Sequence, residues 1–338
     1  MRLRVSLIVT VKNESQALVR LLDSMAAQSR APEEIIIVDG GSTDGTLDLL
    51  RANEIRLPLK NISMPGANIS QGRNAAIRAA TGDIICSTDA GVWLDGNWVK
   101  ELVEPFDRRP STADSEMGFA VGSQPSAVVD VVSGFFLPDP QGAFETALAA
   151  TTLPALADIH PEKFQPSSRS VAFRKAAWEH VGGYPEWLDY CEDLVFDSAL
   201  RAVGLGFAFA PRAIAHFRPR ANLRAFFKQY YRYARGDGKA NLFFKRHLIR
   251  YAIYLMVLPG LIGSTFVASQ YTLPLWLIAA AFMFFTPYKR MLPLLAPLSF
   301  ADRLRALAWI PVIRVTGDVG KMLGYPVGVV WRANNRKG

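Results

Sequence analysis

Cysteine is scarce, with only Cys86 and Cys191 in 338 residues. Two thiols exclude a disulfide-stapled scaffold and a four-cysteine metal site, and both read as reduced and buried. Charge is missing from one long stretch: residues 251–288 hold no Asp, Glu, Lys or Arg over 38 positions. No leader is expected at the start of the chain. The first apolar run, Val5–Val11, is too short for a signal-peptide core with its cleavage site and reads as a strand, so the first domain is expected in the cytosol. Basic residues are not interleaved with aromatics in any nucleic-acid-binding module, so no nucleic-acid partner is expected. Disorder is excluded too, because 50% of residues are hydrophobic and 20% charged.

The charge-free run is long enough for two membrane helices of about 20 residues each. They are expected over 251–269 and 272–288, with a tight turn near Gln270. Lys245, Arg246, His247 and Arg250 precede the run, and Lys289 and Arg290 follow it. The positive-inside rule then places both ends of the hairpin in the cytosol. The other reading is a buried helical hairpin of a soluble domain, since Pro259, Gly260, Gly263 and Pro274 interrupt the spans. Beyond it, residues 304–331 mix apolar positions with Arg305, Arg314, Lys321 and Arg332. These read as interfacial helices whose basic residues snorkel to the headgroups, or as amphipathic helices packed on the first domain. On the former reading part of the net charge of +8 faces anionic lipid.

The first 240 residues alternate strand and helix. Strands are expected over 4–11, 34–39 and 84–88, with a further one over 118–124; helices are expected over 15–27, 46–53, 70–80 and 97–108. This βαβα succession implies a mostly parallel sheet covered by helices, which binds ligands outside the carboxyl ends of its strands. The residues just after those ends are Lys12-Asn13-Glu14, the run from Asp39 to Gly45, and Thr88-Asp89-Ala90-Gly91. Glu14, Asp39 and Asp89 thus crowd one edge and repel one another unless a cation or hydrogen-bond donors intervene. A metal with a nucleotide supplies both. Asp44 has the simpler reading of a turn or cap residue.

The segments from Ser6 to Glu14, from Ile36 to Thr46, Gly72-Arg73-Asn74, and Gly82-Asp83-Ile84 leading to Asp89 resemble, in that order, glycosyltransferase family 2 of the GT-A fold. The resemblance implies an α/β fold with a mixed, mostly parallel sheet flanked by helices. It also implies inverting transfer of a sugar from a nucleotide-diphosphate donor with a divalent metal, Mg²⁺ or Mn²⁺. By the same resemblance Asp39 meets the nucleobase, and Thr10, Asn13 and Glu14 line the base and ribose. Arg73 lies near the diphosphate, and Asp89 is the first aspartate of the metal motif. The pattern is broken at Gly91, where the family often has a second aspartate.

Further on, a strand and helix meet at Lys175, and Cys191-Glu192-Asp193 opens a helix over 194–202. This resembles the family's Glu-Asp motif, with Asp193 as general base and Glu192 in support; an acceptor hydroxyl needs such a carboxylate within hydrogen-bond reach. An acidic pair at a helix start also favours the helix dipole by itself. Arg169 is read as a donor-side contact, and His216, at a strand end, as a metal or diphosphate contact. Residues 229–233 resemble the family's QxxRW motif with Tyr233 in place of Trp, which puts Gln229 and Arg232 on the acceptor and diphosphate side. Arg235-Gly236-Asp237-Gly238 reads as a flexible joint.

The expected organisation is a catalytic domain over 1–240 (donor half 1–125, acceptor half 126–240), a transmembrane hairpin over 241–290 and interfacial helices over 291–338. The expected function is sugar transfer to a membrane-lipid-linked acceptor at the cytoplasmic face of the inner membrane. Two other readings stand beside it. One is a catalytically weak, membrane-anchored sugar-nucleotide-binding protein, favoured by Gly91. The other is a nucleotidyltransferase, which usually carries a glycine- and arginine-rich loop where this chain has Val11-Lys12-Asn13-Glu14-Ser15.

Overall fold

The computed structural model describes residues 2–107, 128–267 and 269–335. The strand expected over 118–124 lies outside the described residues. The chain divides into two compact units, Met1–Asp139 with Leu156–Phe217, and Pro140–Ala155 with Arg218–Gly338.

The first unit is built on a mixed sheet with the order β3-β2-β1-β4-β7-β6-β8-β5 among the described residues. Its strands are β1 (Val5–Val11), β2 (Glu34–Asp39), β3 (Leu59–Ser63), β4 (Ile84–Asp89), β5 (Val92–Leu94), β6 (Val129–Pro138), β7 (Val171–Arg174) and β8 (Gly206–Phe217). The β3-β2-β1-β4 half is parallel throughout, while β7 runs antiparallel between β4 and β6. Helices α1 (Ser15–Ala26), α2 (Thr46–Asn53), α3 (Ile69–Ala79) and α4 (Trp98–Asp107) follow the early strands. The expected α/β class with a mixed, mostly parallel sheet is therefore what forms. Alternation along β1 explains the layering. Leu7 and Val9 pack with Leu18, Leu22, Trp98 and Leu102, while Ile8 packs on the other face with Ile36, Ile77, Ile85 and Phe173. Strands buried on both faces read as unbroken apolar runs.

Register sets the site. Val11 pairs with Asp39, and Thr10 pairs with Val38 on one side and Asp89 on the other. Asp39 and Asp89 thus end strands that flank β1, about 10 Å apart at the usual strand spacing. Two later helices, α6 (Lys175–His180) and α7 (Glu192–Ala202), complete this unit.

The second unit is helical: α5 (Gly142–Thr152), α8 (Leu223–Ala240), α9 (Phe244–Ala252), α10 (Leu258–Val267), α11 (Ser269–Met291) and α12 (Phe300–Asn335). Its core gathers Ala147, Leu148, Phe226, Met291, Ala306, Ile310 and Ile313. A π-helical turn over Ile253–Val257 joins α9 to α10. The resulting stretch, Phe244–Val267, is long and apolar enough to cross a membrane. α11 follows, and Trp276 Nε1 donates to Thr265 Oγ1 across to α10 at 3.1 Å. Of the residues expected to form interfacial helices, 304–331 lie in one helix of 36 residues, about 54 Å long, while 291–299 precede it.

Arg235-Gly236-Asp237-Gly238 is not a joint. It lies inside α8, and Gly236, Asp237 and Gly238 are buried. The reason is close packing: a Cβ on Gly238 would stand 2.3 Å from Tyr325 O and 2.9 Å from Gly328 Cα, so glycine lets α12 lie against α8. Asp237 is held there by His247 Nε2 at 3.0 Å.

Candidate functional site

The site assembles in the first unit from the carboxyl ends of β1, β2 and β4 and the first turns of α3 and α7. The loops after β1 and β2 are fastened to each other. Asn13, in the left-handed region at φ 57°, accepts from Thr43 N at 2.8 Å, and its own N–H donates to Ser42 Oγ at 2.8 Å. Glu14 N donates to Thr46 Oγ1 at 3.0 Å and Ser15 N to Asp44 Oδ2 at 3.1 Å. Asp44 accepts from the Thr46 hydroxyl at 2.6 Å, and that bond, with those from Ser15, holds its carboxyl down at about 2.

Asp39 is fully buried, and its carboxylate turns back on its own loop. It accepts from Gly41 N and Ser42 N, both at 3.0 Å, and from the Ser42 hydroxyl. Gly41 has φ 90°, a conformation the turn needs and L side chains rarely adopt. Asp39 therefore fixes the shape of the glycine-rich turn beside Asn13.

α3 starts sharply because Asn68 and Gln71 form a reciprocal capping box. Its first turn reaches the strand edge because position 72 is glycine: a Cβ there would stand 2.8 Å from Thr10 Cγ2. Arg73 follows and is 2% exposed. One terminal nitrogen holds Asp89 Oδ1 at 2.9 Å, and the other holds Glu192 Oε1. Its guanidinium also lies over the Tyr184 ring, 5.4 Å from the centroid. Burial works against this cation, but Glu192 and Asp89 outweigh it and keep Arg73 more firmly protonated than usual.

Glu192 is 5% exposed in the first turn of α7. Burial raises its carboxyl pKa; Arg73 opposes that, and the neighbouring Asp193 adds to it. Asp193 accepts from Leu194 N at 2.9 Å. Asp197, a turn later, is buried, and its Oδ2 has no hydrogen-bond partner among the described residues. Burial first, and then Asp193, push its carboxyl well above the ordinary range. The site thus gathers Asp89, Arg73, Glu192 and Asp193, with Thr10 beside Asp89 in register.

Asp89 is one-third exposed, and its Oδ2 lies 4.0 Å from Arg169 Nε. Arg169 stacks on Phe217, 4.4 Å from the ring centroid. A Cβ on Gly91 would meet nothing within 4 Å. Among the described residues no three His, Cys, Asp or Glu side chains are grouped to hold a metal. The donor set therefore fits a divalent ion held by one carboxylate together with substrate phosphates, and does not fit an all-protein cage. His216 pairs through Nε2 with Asp95 Oδ1 at 2.8 Å, and its ring stacks on Trp93 at 3.7 Å. Gln229 and Arg232 belong to the second unit, where Gln229 Nε2 donates to the Tyr233 hydroxyl at 2.7 Å.

Two residues carry more than their sequence context suggested. Asn74 accepts from Tyr184 N and Trp178 Nε1 and donates to Tyr184 O and Glu186 Oε1, so it anchors the loop that leads to α7. Its signal was its place beside Gly72 and Arg73. Asp197 had only its spacing from Glu192 and Asp193 on one helix.

A family model described as Glycosyl transferase family 21 matches residues 67–314, and one described as Glycosyl transferase family 2 matches residues 6–119. The chain is 24% identical over 315 residues to the succinoglycan biosynthesis protein ExoA of Rhizobium meliloti, covering 90% of this chain and 78% of that one. It is 30% identical over 124 residues to validoxylamine A glucosyltransferase of Streptomyces hygroscopicus subsp. limoneus, covering 36% of this chain and 27% of the relative. Among the curated relatives matched at 29–33% identity, the chain spans about a third of their length or less. Among solved structures, the mannosyltransferase PcManGT from Pyrobaculum calidifontis, in complex with GDP-Man and Mn²⁺, aligns with a TM-score of 0.52 at 19% identity. That alignment covers all of this chain and 89% of the other, and shows a shared fold.

Proposed function

Because the chain belongs to glycosyl transferase family 21 and carries a glycosyl transferase family 2 domain, we propose that it is an inverting glycosyltransferase acting on a nucleotide-diphosphate sugar and a membrane-lipid-linked acceptor. The observation that carries this reading is the Asp89–Arg73–Glu192 cluster, with Arg73 and Glu192 buried, Asp89 half-buried and Asp193 next to it, at the carboxyl edge of the parallel half of the sheet. Thr10, Asn13, Glu14 and the turn braced by Asp39 receive the base and ribose. Asp89 and Arg169 face the diphosphate. A divalent ion bound there, Mg²⁺ or Mn²⁺, supplies Lewis-acid stabilisation of the departing diphosphate. Asp193 takes the proton of the acceptor hydroxyl as that oxygen attacks the anomeric carbon opposite the leaving group. His216 steadies the diphosphate side.

The lipid acceptor is supported by the uncharged 251–288 run and by the apolar stretch Phe244–Val267. Basic residues at both outer ends of the run favour a catalytic unit on the cytoplasmic side of the inner membrane. A relative named for succinoglycan biosynthesis supports a part in building envelope polysaccharide or glycolipid.

The test is a panel of nucleotide sugars with purified membranes, with and without Mg²⁺ or Mn²⁺, following nucleoside diphosphate release. Turnover is expected in the wild type and is expected to vanish in Asp193→Asn while donor binding persists. Release of pyrophosphate would mark a nucleotidyltransferase, and binding without any release would mark a sensor. Either outcome removes this reading.

A further inference from the structure

Resting on the transferase reading, we propose that Arg73 is a positioning residue that ties the carboxylate on the donor side, Asp89, to the helix carrying the base, and that it is not itself a ligand of the diphosphate. Both of its terminal nitrogens already hold carboxylates, Asp89 and Glu192, and its guanidinium stacks over Tyr184. The side chain is 2% exposed. A diphosphate reaching it would have to displace one of two acids. Displacing Glu192 would leave a carboxylate that is 5% exposed without its cation, which is the costly way to break a buried pair.

The consequence for Asp193 follows from helix geometry. The loop before α7 is anchored independently of Arg73: Asn68 donates to Glu186 O, Ser70 to Leu188 O and Asn74 to Tyr184 O. Helix α7 then opens at Cys191 in the left-handed region, φ 64°, and Glu192 and Asp193 form its first turn. Successive residues on a helix point about 100° apart. With Glu192 pinned inward by Arg73, the direction of Asp193 is set. Asp89 is set by the same guanidinium from the other side. One arginine thus fixes the angle between the group facing the leaving diphosphate and the group accepting the proton.

Arginine matters here as a fork. A lysine at position 73 keeps the charge but reaches one carboxylate at a time. The variants are Arg73→Lys, Arg73→Gln and Glu192→Gln. The readouts are calorimetric affinity for UDP and GDP, with and without Mn²⁺, and the kcat and donor KM of whichever sugar nucleotide the wild type turns over. We expect Arg73→Lys to lose kcat by about 100-fold, the scale of a small misplacement of reacting groups. Nucleoside diphosphate affinity and donor KM should change by less than about threefold. Glu192→Gln should reproduce this split, and the double variant Arg73→Lys/Glu192→Gln should lose little more than either single variant, as coupled residues do.

The proposal is overturned if Arg73→Lys keeps wild-type kcat, if its nucleoside diphosphate affinity falls tenfold or more, or if the two single losses multiply in the double variant. Should Arg73→Gln fail to fold, Arg73→Lys and Glu192→Gln carry the test alone. Failure of the transferase reading looks different: the wild type itself then releases no nucleoside diphosphate from any donor.

Discussion

Asp197 stands in α7 as a buried acid with an unpartnered oxygen, so its cost depends on pH. Its carboxyl titrates near 3.8 when unfolded and well above that when folded. Between those values the folded chain holds a proton that the unfolded chain has lost, so stability falls as pH rises from about 4 up to the raised folded value. Asn cannot ionise, and Asp197→Asn escapes the penalty. The variant should melt close to the wild type at pH 4 and above it at pH 7, by several degrees if the difference is about 1–2 kcal/mol. Melting curves that run parallel at every pH would show that Arg201, nearby on the same helix, keeps Asp197 ionised. Gly72→Ala runs the other way. Its Cβ meets Thr10 Cγ2 at 2.8 Å, so α3 must lift from β1 at a cost of about 1–3 kcal/mol, measurable by thermal melting. Asp39 and Asp89 stand out in the sequence as acids just after apolar strands, whereas Glu192 and Asp193 stand out only through the family resemblance, since an acidic pair opening a helix has a structural reading of its own; the fold brings Asp89 and Glu192 to one arginine and turns Asp39 back on its own loop. The tie through Arg73 was not legible, since Arg73 and Glu192 are 119 positions apart and meet only when α3 and α7 are packed.

At the scale of elements, the contact between α8 and α12 depends on glycines. A Cβ on Gly324 would stand 2.1 Å from Tyr231 O, and one on Gly328 2.1 Å from Arg235 O, both backbone atoms with no easy way to yield. Alanine is the better helix former by about 1 kcal/mol, yet Gly324→Ala should destabilise the helical unit by at least ~1–3 kcal/mol, because crowding outweighs propensity. Gly260→Ala, where nothing lies within 4 Å, is the control and should be neutral or slightly stabilising. Limited proteolysis and melting of the two variants separate the effects; equal behaviour would mean that α8 and α12 do not pack this closely. The same glycines show why sequence reading went astray in α8. Gly236 and Gly238 look like a hinge to any local rule, and only a second helix 80–90 positions later gives them another purpose. Strands β1, β2 and β4 were plain because burial on both faces makes continuous apolar runs. β5, three residues long, and β3, with no fully buried position, carried too weak a pattern to stand out.

At the scale of the whole molecule, the second unit exposes many large apolar side chains. Leu255, Met256, Val257, Phe266 and Val267 are exposed in the stretch Phe244–Val267, and Leu273, Leu277, Ile278, Phe282 and Phe285 are exposed on α11. Large apolar side chains exposed in this number are unusual on proteins that live in water and are ordinary against lipid. If the two segments cross as a pair, Lys245 and Arg290 lie on the same face of the membrane; if only one crosses, they lie on opposite faces. The chain suits a thiol test because both native cysteines are buried, and burial pushes the Cys86 thiol up to about 12, which leaves little reactive thiolate. Lys245→Cys and Arg290→Cys should both react with a membrane-impermeant maleimide in inside-out vesicles, and neither should react in right-side-out vesicles. Labelling of the two positions from opposite faces would leave a single span and place the residues after it away from the cytosolic donor. Labelling of both in inside-out vesicles only, but with the chain washed off by alkaline carbonate, would turn the helical unit into a surface-bound one. Only the first pattern, with the chain resistant to alkaline carbonate, agrees with the proposed hairpin whose two ends lie on the cytosolic side.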